Sequence, residues 1–197
     1  LPLTEQGRAL AYAWGQYLAQ NTDRAIQHCI SSPIQRCVDT AALMIEGADH
    51  VHKAVNTHKI EIVEQRLLVE PGSFVLDIQQ AAPYFRQQGA LGFINSFVNN
   101  ALPGMKHPIS GVFDVLELLY HTHPTQRAGL SLAVSHDTIL AAIVAVISGN
   151  KQIECSDWPE MMEGLFVWFE GKDFNQSKLK WIWRGQKHEL LMQDFQI

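Results

Sequence analysis

Twice in this chain an apolar run ends in a small polar residue and passes straight into a helical pattern whose first turn carries a nitrogen-rich side chain. The two places are Ile30-Ser31-Ser32-Pro33-Ile34-Gln35-Arg36 and Val134-Ser135-His136-Asp137-Thr138. Short, fully apolar strands feeding directly into helices are the units of layered α/β folds, because a strand covered on both faces needs a helix to pack back over it. In open α/β sheets ligands bind outside the carboxyl ends of the strands, where helix N-termini offer free N–H groups and a positive dipole end. Both places are therefore expected to face one cleft. Arg36 would supply a planar fork of donors suited to phosphate, and His136 a donor or cation beside it. Asp137, next in the chain, is placed to give or take a proton.

The flanking pattern agrees with that reading. Thr4 before Glu5 and Gln6 marks a helix start, and Leu10, Ala13, Trp14, Tyr17 and Leu18 recur on one face, predicting a helix to about Gln20. Asn21-Thr22-Asp23 breaks it, and Ala25 to Ile30 reads as a buried strand. Ser at an N-cap and Pro33 at the first helical position predict a second helix through about Ile45. Turn signals at Pro71-Gly72, Pro103-Gly104, Pro108 and Pro124 divide the next stretch, which reads as one strand near His58 to Val63 and a largely helical cap inserted at about 47–127. Leu130 to Val134 then reads as a strand, Ile139 to Ile147 as a buried helix, and Leu165 to Phe169 and Leu179 to Trp183 as closing strands. The expected fold is a single three-layer α/β/α domain with a mostly parallel mixed sheet and a small helical cap.

Composition excludes whole classes of function. Fifteen Lys and Arg against twenty Asp and Glu give a formal charge of -5, so no global field favours nucleic acid or an anionic membrane, and any anion site must be local. The longest apolar stretch, Ile139 to Ile147, is about half of what a bilayer span requires. Cys29, Cys37 and Cys155 are an odd set without metal-ligand spacing, which argues against a disulfide scaffold and reads as buried and inert. The odd thiol count favours a cytoplasmic setting, with the periplasm or secretion left open. His50-x-His52 and His121-x-His123 lack a third ligand at a recognised spacing, so no metal and no other cofactor is expected. The chain opens on Leu, which reads as a start after a processed or trimmed segment.

Several blocks together resemble the histidine phosphatase superfamily, which includes the phosphoglycerate mutases and the histidine acid phosphatases. Leu3-Thr4-Glu5-Gln6-Gly7-Arg8 is similar to the family's first-helix opening, and Ser31 to Arg36 through Thr40-Ala41 to its second block. Val134-Ser135-His136-Asp137-Thr138 resembles the His-Asp block of the acid-phosphatase branch. Asp157-Trp158-Pro159 and the strands through Phe169-Glu170 and Trp181 to Arg184 resemble that branch's closing segment. The resemblance implies a phosphoglycerate mutase-like fold and hydrolysis of a small phosphorylated substrate through a phosphohistidine. Arg36 would grip phosphate, His136 would be the second histidine of the site, and Asp137 the acid that protonates the leaving oxygen. Glu70, which loosely matches the acidic position of the mutase branch, is the runner-up proton donor.

The family's Arg-His-Gly motif, which carries its nucleophilic His and a second phosphate-binding Arg, does not occur in these residues. The resemblance implies either that it precedes Leu1 or that this member lacks its nucleophile. Plainer roles stand beside each assignment: a surface Arg36, a core His136, an Asp137 that only caps its helix. Trp158, Trp168, Trp181 and Trp183 read as core or strand-face residues, with Trp158 a candidate for lining the cleft. The activity expected is phosphomonoester hydrolysis. The alternatives are a mutase-like phosphotransferase and a non-catalytic phosphate-binding or partner-binding module. Natural substrate and oligomeric state are not legible.

Overall fold

In the computed structural model, residues 2–52, 59–69, 73–122 and 129–195 are described, and they fall into two compact units. The first comprises Leu1–Val69 and His121–His136, the second Glu70–Tyr120 and Asp137–Ile197.

In the first unit, helix α1 (Glu5–Asn21) opens as the sequence predicts, with the Thr4 hydroxyl accepting the Gly7 N–H at 3.1 Å. Strand β1 (Ala25–Ser31) lies between β2 (Ile62–Glu64) and β3 (Gly129–Val134), both parallel to it. Ser31 pairs with Glu64 on one side and Val134 on the other, so β1 and β3 end level at their carboxyl edge. The Ser32 N–H extends the ladder by donating to the Val134 carbonyl at 2.8 Å. Helix α2 (Gln35–His52) covers the sheet, burying Ala41, Ile45 and Ala48 against Ile26 and Cys29, with Ile62, Leu132 and Val134 packed around them.

Helix α2 departs from its expected limits at both ends. It starts at Gln35, not at Pro33, because the Ser32 hydroxyl meets the Ile34 N–H at a long 3.4 Å and is held by His136 instead. It runs on past Ile45 to His52 because Gly47 is a contact with α1 rather than a stop. A Cβ on Gly47 would sit 2.1 Å from the Tyr12 carbonyl oxygen, and one on Gly15 of α1 would sit 1.9 Å from that of Met44. The two glycines are reciprocal notches through which the helix backbones touch.

The second unit holds α3 (Ile78–Val98), α4 (Pro108–His121), α5 (Asp137–Ile147) and a sheet of β4 (Phe166–Glu170), β5 (Lys178–Trp183) and β6 (Gln186–Leu191). The expected mixture of parallel and antiparallel strands is thus carried by two three-stranded sheets, one parallel and one antiparallel in the order β4-β5-β6. An aromatic cluster of Phe113, Tyr120, Phe169 and Phe174 and a stacked Phe74–Phe97 pair fill its interior. Strand β6 escapes sequence reading because Gln186 to Glu189 are polar, and the strand forms on a two-residue turn in which Arg184 and Gly185 both have positive φ. Helix α3 carries a break at Gly89, φ 68°, which its sequence pattern does not announce. No helix among the described residues is long and apolar enough to cross a membrane.

Gly15→Ala should force the α1–α2 pair apart and cost about 2–3 kcal/mol by overpacking, read from urea unfolding. Gly164→Ala, where an added Cβ meets nothing within 4 Å, should stay within about 0.5 kcal/mol of the parent. Equal stabilities for the two variants would contradict the notch.

Candidate active site

Level strand ends bring the two sequence-predicted residues of the first unit into direct contact. Arg36 Nη2 lies 3.1 Å from His136 Nδ1, and His136 Nε2 lies 2.9 Å from Ser32 Oγ. His136 is 6% exposed and Ser32 fully buried, whereas the Arg36 side chain reaches the surface. A guanidinium has donors and no lone pair, so Nδ1 must accept from Arg36. The imidazole proton therefore sits on Nε2, which donates to Ser32 Oγ. This direction matters chemically: an imidazole whose Nε2 is already protonated cannot take a proton from Ser32, so the pair does not activate that serine as a nucleophile.

Cys37 completes the cluster, its thiol 3.6 Å from the Ser135 carbonyl and 3.8 Å from His136 Nε2. Burial pushes this thiol up against the opposing pull of the Arg36 charge and the Ser32 hydroxyl, and it stays protonated at neutral pH. Cys29, beneath it in β1, is pushed up to about 12 by burial. Both are inert as the sequence suggests; Cys155 is not buried but exposed on a short turn. The Ser135 hydroxyl donates to the Leu68 carbonyl at 2.8 Å, tying the 66–68 turn to the end of β3.

The charge balance around Arg36 is unusual for its position. It is the second residue of α2, whose first turn holds no acidic side chain, and a cation there opposes the helix dipole. Among the described residues, no carboxylate lies within ion-pair distance of its guanidinium. Among the described residues, Arg36 is thus a cation at the carboxyl edge of the parallel sheet and at the positive end of a helix, with no carboxylate paired to it.

Asp137 lies in the second unit as the first residue of α5. Its Oδ1 accepts the Thr138 N–H at 2.9 Å, which is the plain helix-terminus role. Its Oδ2 accepts the indole N–H of Trp158 at 2.9 Å, a contact the sequence does not reveal. The carboxylate itself is exposed. Glu70 lies outside the described residues, as do His123 and the side chain of His52. Among the described residues no group of three or more His, Cys, Asp or Glu is arranged to hold a metal ion.

Residues 1–63 match the model of the histidine phosphatase superfamily (branch 1). No curated protein sequence matches the chain significantly. Solved structures share its fold over nearly its whole length. The structure of mycobacterial hydrolase 1 aligns with a TM-score of 0.56 at 18% identity, covering 92% of this chain and 86% of the other. Phosphoglycerate mutase from Bacillus anthracis aligns at 0.51 and 13% identity, covering 98% and 84%. A mycobacterial glucosyl-3-phosphoglycerate phosphatase aligns at 0.50 and 16%, covering 94% and 87%. The α/β fold is therefore phosphoglycerate mutase-like, and the histidine phosphatase pattern is present in the part of the chain that builds α1, β1 and α2.

The hydrogen bonds fix a spectroscopic expectation. In the anion-free protein at pH 7.5, the ¹⁵N resonances of His136 should report a neutral imidazole protonated on Nε2 with a lone pair on Nδ1. A proton on Nδ1 under those conditions would contradict the Arg36 contact.

Proposed function

We propose that this chain, which carries the histidine phosphatase superfamily pattern over residues 1–63, supplies the phosphate grip and the proton donor for phosphomonoester hydrolysis through a phosphohistidine. The observation that carries the reading is the Arg36 guanidinium, paired with no carboxylate among the described residues, touching His136 at the carboxyl edge of β1 and β3. Phosphoryl transfer asks the protein for position and charge, because the transferred group spreads negative charge over three oxygens. Arg36 meets that demand with a fork of donors. His136, once its Nδ1 is protonated, adds a second cation whose other N–H stays anchored on Ser32.

In this reading the phosphoryl group leaves the substrate oxygen for the nitrogen of a nucleophilic histidine. Asp137 delivers a proton to the departing alkoxide, and the alcohol leaves. Water then attacks phosphorus, Asp137 takes its proton back, and inorganic phosphate is released. Arg-His-Gly does not occur within residues 1–197, so the nucleophile is the one role these residues leave unassigned. That observation also supports a second reading, a phosphate-binding module that grips without turning over. Asp137 directly after His136 favours hydrolysis over a mutase-like transfer, and substrate choice is assigned to the helical stretch of α3 and α4, within the cap expected from the sequence.

Two measurements test this. Inorganic phosphate should bind residues 1–197 with Arg36 intact, and Arg36→Ala or His136→Ala should each weaken binding roughly 10- to 100-fold, as expected for a lost charge-assisted hydrogen bond. Unchanged affinity in both variants would remove the pair from the site. In turnover assays, Asp137→Asn should cost about 100-fold or more in kcat for an alkyl phosphate and less than about tenfold for a nitrophenyl phosphate, whose leaving group needs little protonation. Equal losses would count against the acid role, and binding without any turnover would favour the second reading.

A further inference from the structure

The second unit contains an arrangement that the grip on phosphate does not require. Trp158 spends its indole N–H on an exposed carboxylate, 2.9 Å from Asp137 Oδ2, although its ring is only half-buried and it lies 21 residues away in sequence. With the Thr138 N–H on Oδ1, each carboxylate oxygen then carries one fixed donor, and the plane of the carboxyl group is set. One donor alone would leave it free to rotate about χ2.

Trp158 is itself held from behind. It follows the short turn Cys155–Asp157, which is closed by the Glu154 N–H on Asp157 Oδ2 at 2.9 Å, and it precedes Pro159, which favours the extended backbone seen at Trp158, φ -64° and ψ 136°. Arg184, in the left-handed turn after β5, reaches across with four hydrogen bonds. Nη1 donates to the Ser156 carbonyl at 2.6 Å and Nη2 to the Trp158 carbonyl at 3.0 Å. Nε and Nη2 clasp the Glu163 carboxylate at 2.8 and 2.9 Å. Its guanidinium also lies 5.1 Å over the Trp183 ring. Glu163 in turn accepts the Glu160 N–H at 3.0 Å, so both ends of the Ser156–Glu163 loop are fastened to one side chain. An exposed ion pair contributes little by itself, but a planar bidentate pair that also bonds two backbone carbonyls fixes a loop in place.

We propose that Trp158 is a positioning residue for Asp137, and that Arg184 is the anchor that holds it there. The proposal rests on Asp137 as the proton donor and assigns a further residue to that step. Trp158 touches no reacting atom in it; the indole aims the carboxyl group, and the clamp aims the indole. Neither residue is assigned to phosphate binding.

Two readouts separate this from a merely structural role. In a ¹H–¹⁵N spectrum of the protein, the indole cross-peak that disappears in Trp158→Phe should change position in Asp137→Asn, where a neutral amide oxygen replaces the carboxylate acceptor. An indole peak indifferent to Asp137→Asn would overturn the contact. In turnover assays, Trp158→Phe should lower kcat for an alkyl phosphate about tenfold, leave KM within about twofold, and change nitrophenyl phosphate turnover by less than about threefold. Added to Asp137→Asn it should cost nothing more, since both remove one function. Arg184→Gln, which leaves Trp158 and Asp137 in place, should shift the same ratio in the same direction and broaden the Trp158 peak.

If Asp137→Asn shows leaving-group dependence and neither Trp158→Phe nor Arg184→Gln does, the positioning role is wrong. If Asp137→Asn shows none, the acid assignment fails and the positioning role falls with it. A protein without turnover removes the hydrolytic reading and the positioning role with it, and the indole shift in Asp137→Asn then reads only the contact.

Discussion

A guanidinium can only donate, and in this protein that limitation organises the site. Because Arg36 faces His136 Nδ1 at 3.1 Å, the imidazole must present a lone pair there and a proton to Ser32 on its other side. The parallel pairing of β1 with β3 makes the contact possible, since parallel strands finish at the same edge, where Ser32 and Arg36 follow one strand and His136 the other. An antiparallel pairing would have sent the two side chains to opposite ends of the sheet. Under the proposed function, a dianion beside Arg36 would favour a second proton on His136, so the hydrogen bond between them holds two donors side by side with a single cation.

The proposed acid role of Asp137 rests on orientation: its exposed carboxylate is held by two hydrogen bonds, one on each oxygen. Orientation is costly to maintain on a surface, where side-chain rotation is cheap. The Arg184 clasp on Glu163 and on the Ser156 and Trp158 carbonyls is the kind of over-determined loop that offsets this cost. Hydrogen bonding to Arg184 holds the Glu163 carboxyl below its ordinary range, so the clasp persists well into mildly acidic solution. It loosens only as pH falls through that lowered value.

Much of this was legible in the sequence where local chemistry and tertiary need coincide. Thr4 caps α1 because a hydroxyl at that spacing reaches Gly7 N–H, and the apolar runs through Ile30 and Val134 are strands because only a covered sheet accommodates them. Arg36 and His136 could be paired in advance from the repeated strand-to-helix pattern alone. The misses have equally physical causes. Ser32 looks like an N-cap, but its hydroxyl accepts from His136 across the sheet, a bond of sequence separation 104 that no local pattern encodes. Gly47 looks like a terminator and is a helix-contact notch; β6 looks like a polar loop and is a strand made by its turn. The Trp158–Asp137 contact joins residues whose separate patterns, an aromatic before a proline and an acid at a helix start, each have a sufficient local explanation.

A crystal of this protein soaked with orthovanadate or tungstate decides whether the proposed Arg36–His136 pair holds an oxyanion. The oxyanion should lie at the carboxyl edge of β1 and β3, with Arg36 turned from the imidazole to donate to its oxygens and His136 donating through Nδ1 while Nε2 stays on Ser32. An anion bound elsewhere, with the 3.1 Å Arg36–His136 contact undisturbed, would contradict it.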